Sequence, residues 1–176
     1  MQSKIKIFNH PVHPMLVPFP IAFFTATLLC SIVYISTKNV FWFRVEFIAN
    51  CAGVVMAIAA VFPGIVDWLL IPVSSDAKST GLKHMIANAV SVGIFGVNAA
   101  VNYTYLDVKN PPTQSGVLLS SFGFLVMLYA GFKGWEMVQT YHIGIDDNSK
   151  VAVKKTIIEE KNPTNISESP LEQFNE

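Results

Sequence analysis

Residues 15–35 read MLVPFPIAFFTATLLCSIVYI, a run without a single charged side chain. A helix needs roughly 20 apolar residues to cross the hydrocarbon core of a bilayer, so this stretch predicts a transmembrane span. Three further uncharged runs follow, at residues 47–66, 85–106 and 110–132. Pro111 and Pro112 interrupt the start of the last one, because proline removes a backbone donor and clashes inside a helix. Its helix is predicted to begin near Ser115 and to run past Lys133, whose long stem reaches toward the headgroups. The predicted fold class is all-α: an integral membrane four-helix antiparallel bundle with a polar C-terminal tail. Spans are expected near residues 15–36, 46–71, 82–106 and 115–141, forming a membrane domain over residues 1–145. The first apolar run is too long for a signal-peptide core and has no small-x-small cleavage site after it, which predicts that it is retained.

Composition supports this reading. Of the 176 residues, 52% are hydrophobic and 14% charged, against about a quarter charged in soluble domains. A chain of this length cannot hide four helices that are apolar on every face from water. Eleven of the 24 charged residues lie after Ile145, leaving the membrane part poorer still. Residues 146–176 turn acidic and polar, a composition that predicts disorder. Net charge is zero and no basic run is interleaved with aromatics, which excludes the phosphate-neutralising surface of a nucleic-acid binder. Cys30 and Cys51 lie inside apolar stretches without metal spacing and read as small buried hydrophobes.

Aromatic residues gather where the spans should meet the headgroups, with Tyr34, Trp42 and Tyr103 at one level and Trp68, Trp135 and Tyr141 at the other. Small residues, Gly53, Ala57, Ala60 and Gly64 in the second span and Ala89, Gly93 and Gly96 in the third, predict close helix packing. Asn50, Asn88, Asn98 and Asn102 are expected to supply hydrogen bonds within the bundle. No internal repeat is evident. No acidic residue stands in the middle of a span, which argues against a transporter.

All four histidines, His10, His13, His84 and His142, fall on one membrane face along an up-down-up-down path. In His10-Pro-Val-His13-Pro the residue before each proline is biased toward extended geometry, which predicts a polyproline lead-in with both rings on one side and Pro14 opening the helix. Asp67 and Trp68 end the second span on the same face, where a carboxylate can orient an imidazole ring. His13 and His84 are the leading candidate site residues, with Asp67 in support and His10 as auxiliary. Lys133 and Glu136 are spaced for a helix-surface ion pair.

The segments His10-Pro-Val-His13-Pro-Met-Leu-Val-Pro-Phe-Pro-Ile-Ala, Gly64-Ile-Val-Asp67-Trp68 and His84-Met-Ile-Ala-Asn88 together resemble the bacterial membrane family catalogued as domain of unknown function 2231. The resemblance covers roughly residues 8–145 and implies a four-helix membrane protein of unassigned molecular activity. Where the family's fourth span usually carries a histidine this chain has Tyr141, with His142 one step later.

Two classes of function follow. The first is a non-catalytic subunit or scaffold of the bacterial inner membrane, with a histidine-rich cytoplasmic-side site that docks a membrane-complex or redox partner. The second is a redox protein holding noncovalent heme b, or a metal, through His13 and His84. No GxSxG elbow, P-loop or HExxH motif points to an enzyme. Orientation rests on Lys4, Lys6, Lys78, Lys83, Lys133, Lys150, Lys154 and Lys155 on one side against Lys38, Arg44 and Lys109 on the other, which places both termini in the cytoplasm. Alkaline phosphatase fused after Ile145 should accordingly be inactive and a fusion near Asn39 active; the opposite pattern would reverse the orientation.

Overall fold

The computed structural model describes residues 5–8, 10–72, 75–112 and 114–143; the tail expected over residues 146–176 lies outside them. A short antiparallel ladder opens the chain, β1 (Lys6–Ile7) against β2 (His10–Pro11). Five helices follow: α1 (Val12–Leu16), α2 (Pro18–Thr37), α3 (Val40–Leu69), α4 (Asp76–Tyr103) and α5 (Gln114–Gln139). With α1 and α2 taken together, four helical segments are long and apolar enough to cross a membrane.

Local chemistry explains the boundaries. Pro18 and Pro20 cannot donate to the carbonyls four residues earlier, and the helix breaks at Val17 between α1 and α2. His13 lies inside α1 and Pro14 at its third position, where a missing N–H costs little. The expected polyproline lead-in is therefore replaced by a strand pair and a helical turn. Lys38 closes α2 in the left-handed region, with φ 54° and its N–H on the Tyr34 carbonyl. The Asn39 side chain then caps α3 by accepting from the Phe41 N–H at 3.0 Å. So tight a turn forces α2 and α3 antiparallel, and it starts α3 six residues ahead of the expected position. Ser75 caps α4 in the same way, accepting from the Lys78 N–H. Across that connection Trp68 Nε1 donates to the Lys78 carbonyl, while Lys78 Nζ bonds the Trp68 carbonyl and lies 3.8 Å from the Trp68 ring centre.

The bundle is inverted relative to a water-soluble one. Ile48, Phe62, Leu118 and Leu125 are each more than 60% exposed on its outside, whereas Thr27, Ser31, Glu46, Asn50, Ser91, Asn98, Asn102 and Ser120 are buried within it. Lipid tails are as apolar as leucine, so burying leucine between helices gains little; packing and hydrogen bonds hold such helices together.

An internal duplication, invisible as sequence similarity, emerges from the packing. The Phe24 ring sits on Gly53, where a β-carbon would come 2.6 Å from it, and the Phe95 ring sits on Gly123, where the corresponding distance is 2.9 Å. Phe24 and Phe95 are 71 residues apart and Gly53 and Gly123 are 70 apart. The two rings stack on each other with centroids 3.9 Å apart and planes at 4°. The ring-on-glycine contact of the α2–α3 hairpin thus recurs in the α4–α5 hairpin, 71 residues on for the ring and 70 for the glycine, and the two phenylalanines meet between them. Of the predicted small-residue stripes, the one on α3 packs, whereas Ala89 and Gly93 on α4 are exposed and a β-carbon at Gly93 or Gly96 would meet nothing within 4 Å. A Phe95→Ala substitution should destabilise the bundle by about 3–5 kcal/mol, while Leu118→Ala, on the lipid face, should cost far less; thermal unfolding in detergent measures both.

Candidate functional site

α1 packs against α3, and from it His13 reaches across to that helix. Its Nδ1 lies 2.9 Å from the Ala60 carbonyl. A carbonyl can only accept, so Nδ1 carries a proton, and in the neutral ring Nε2 then keeps its lone pair. The ring rests on Gly64, one turn beyond Ala60, where a β-carbon would approach the imidazole to 2.8 Å.

His84 does the same in the second hairpin. Its Nδ1 donates to the Ala130 carbonyl at 2.8 Å, and a β-carbon at Gly134 would lie 3.0 Å from the ring. Ala-Val-Phe-Pro-Gly at residues 60–64 and Ala-Gly-Phe-Lys-Gly at residues 130–134 form the two seats. Both alanines stand nine residues before the end of their helix, about 13 Å of rise, so the imidazoles occupy one level inside one end of the bundle.

The two Nε2 atoms differ in surroundings. Asn88, one turn along α4, donates to His84 Nε2 at 3.1 Å and also to the His84 carbonyl at 2.9 Å. Nothing among the described residues hydrogen-bonds His13 Nε2. Two imidazoles held in the same tautomer can act as ligands, acceptors or proton carriers. Among the described residues no group of three or more histidine, cysteine, aspartate or glutamate side chains converges as a metal cage would require.

The other candidates are placed differently. His10 is exposed in the strand pair, its Nδ1 directed at the Phe8 carbonyl at 2.8 Å, and the ladder separates it from the turn that carries His13. Asp67 is half-buried, three positions beyond Gly64 on α3; the Nδ1 bonds of His13 and His84 go to backbone carbonyls instead of to its carboxylate. His142 follows α5 with φ 51° and is exposed. Lys133 and Glu136 form the expected pair at 2.7 Å.

One buried acid escaped the sequence reading. Glu46, 1% exposed, sits inside the second span near the opposite end of the bundle, where it accepts from Asn102 Nδ2 at 3.0 Å and from Asn98 Nδ2 at 3.4 Å. The expectation from sequence concerns acids only in the middle of a span; Glu46 stands near the start of α3 and is buried there. Its signature was helical spacing: Glu46 and Asn50 are four apart, as are Asn98 and Asn102, so each pair shares a helix face.

The family model described as "Predicted membrane protein (DUF2231)" matches residues 9–147. Comparison with curated proteins and with solved structures produced no match. The matched region takes in all four spans, both imidazole seats and the polar layer around Glu46, and the chain belongs to the DUF2231 family of predicted membrane proteins.

Proposed function

We propose that this chain is a non-catalytic subunit or scaffold of the bacterial inner membrane, with both termini in the cytoplasm and the paired-imidazole seat as its working end. The observation that supports this reading is the repetition of one device: His13 and His84, from the two halves, each donate Nδ1–H to a carbonyl and rest on a glycine. Holding a ring this way fixes its tautomer and direction. Proteins hold side chains so tightly where a bound group must be met in a set geometry. The lipid bilayer is the surrounding partner; a membrane-complex or redox partner would engage the histidine end.

A second reading, noncovalent heme b, is favoured by one specific feature. Axial ligation of heme iron uses a neutral imidazole nitrogen whose partner N–H is engaged. Both rings meet that condition. His13 and His84 would hold the heme through their Nε2 atoms, and Asn88, already bonded to the His84 carbonyl, could yield that of His84. When bound, heme would supply one-electron chemistry. The chain's own contribution would be to orient the two rings and to keep water from them.

Visible spectra and native gels separate these readings. Under the scaffold reading, the chain should migrate in native membranes within an assembly well above its own 19.4 kDa, and His13→Ala or His84→Ala should release it. Migration as the lone chain would end the subunit reading. Under the heme reading, protein made with ample heme and iron should show a Soret band that either substitution abolishes and His142→Ala leaves largely intact. A colourless protein would remove heme. Gly134→Ala should reproduce the effect of His84→Ala in whichever assay responds, because its β-carbon displaces the ring, at a stability cost of about 1–3 kcal/mol.

A further inference from the structure

We propose that Glu46, Asn50 and Asn98 form a binding site for one small monovalent cation, a sodium ion, between the helices at the end of the bundle remote from the histidines. The site is independent of the histidine reading. All four long helices contribute to it: Ser31 from α2, Glu46 and Asn50 from α3, Asn98 and Asn102 from α4, Ser120 from α5, each at most 1% exposed.

Unmet hydrogen-bonding demand points to the ligand. Asn50 is 0% exposed, and neither its Oδ1 nor its Nδ2 has a partner. Asn98, also 0% exposed, donates to Glu46 and to Ser120, yet its Oδ1 is left without a donor. A buried polar atom without a partner costs about 1–3 kcal/mol, and three in one layer of a small bundle call for an occupant. Two of the three are amide oxygens, atoms that attract positive charge.

Charge balance asks for the same occupant. Among the described residues the one side-chain ion pair is Lys133 with Glu136, so Glu46 has no lysine or arginine against it. An ionised carboxylate within a membrane requires a compensating charge. One carboxylate with neutral amide and hydroxyl oxygens is a hard donor set, and its single negative charge suits a monovalent ion.

The duplication shows that room was made for this acid. The position equivalent to Glu46 in the second hairpin is Gly116, and a β-carbon there would come 3.1 Å from Glu46 Oε1. The other equivalent pairs, Thr27 with Asn98, Ser31 with Asn102 and Asn50 with Ser120, are polar in both halves. Above the layer, Tyr34 packs on Phe43 and its hydroxyl donates to the Pro111 carbonyl at 2.8 Å. Below it lies the Phe24–Phe95 stack. A cation here would be enclosed between two aromatic layers.

The test is thermal unfolding of the purified full chain in detergent, in sodium chloride against potassium chloride and choline chloride at equal ionic strength. Sodium should raise Tm saturably by about 5 °C over choline at concentrations well above Kd. Glu46→Gln, which keeps the shape and the hydrogen bonds, should abolish the sodium response. Asn50→Ala should shift its midpoint to roughly tenfold higher sodium, providing a second variant if the first does not fold. His13→Ala should leave the response intact, so failure of the histidine reading would not disturb this one. A wild-type Tm indifferent to cation identity would show that water or a proton fills the layer, and would overturn the site. A sodium response unchanged in Glu46→Gln and Asn50→Ala would overturn it equally.

Discussion

Among the described residues a ring seated on a glycine of a neighbouring helix recurs five times in this bundle, Trp68 on Gly81 being the one without a counterpart in the other half, and the rest of the architecture depends on that contact. Phe24 on Gly53 and Phe95 on Gly123 set how closely the helices of each hairpin approach at mid-span; His13 on Gly64 and His84 on Gly134 do the same nearer one end. In lipid there is no water to expel from between helices, so close packing and polar bonds must hold them together. Glycine allows a flat ring to lie directly on the backbone. The same absence of a side chain exposes the carbonyls of Ala60 and Ala130, which the imidazoles then use.

Duplication distributes these contacts into layers. The histidines form one layer, the stacked phenylalanines the next, and the serine, asparagine and glutamate side chains a third. Phenylalanine keeps the same role in both halves because two rings can stack face to face across the bundle. An acid cannot be duplicated in that way: two carboxylates meeting across the bundle would repel each other in a medium of low dielectric. One half carries Glu46 and the other Gly116, and the departure from symmetry occurs where electrostatics demands it.

Polar satisfaction differs sharply between the two ends. At the histidine end each ring has its Nδ1 proton engaged and packs on backbone, so orientation is set by groups already present. In the layer around Glu46 the donors of Asn98 and Asn102 are engaged, while both polar atoms of Asn50 and the oxygen of Asn98 remain unmatched. A buried network that is only partly satisfied is costly unless something else completes it. The two ends therefore differ physically even though both are built from the same pair of hairpins.

The sequence by itself determined that the chain has four segments long and apolar enough to cross a bilayer, that a proline pair displaces the fourth helix to near Ser115, and that an up-down path returns His13 and His84 to one end of the bundle. Those properties follow from hydropathy, chain length and the even number of crossings, all local or additive along the chain. Only the tertiary structure decided that His13 stands in a helical turn, that His10 points elsewhere, and that backbone carbonyls take the place expected for Asp67. It also decided that Glu46 faces inward and that two unlike sequences form one repeated hairpin. These depend on which helix faces meet. Ring-on-glycine packing leaves few identical positions between the halves, among them His13 with His84, Phe24 with Phe95, Ala60 with Ala130 and the glycines beneath the rings, and their common purpose is visible only when each ring is seen against its glycine.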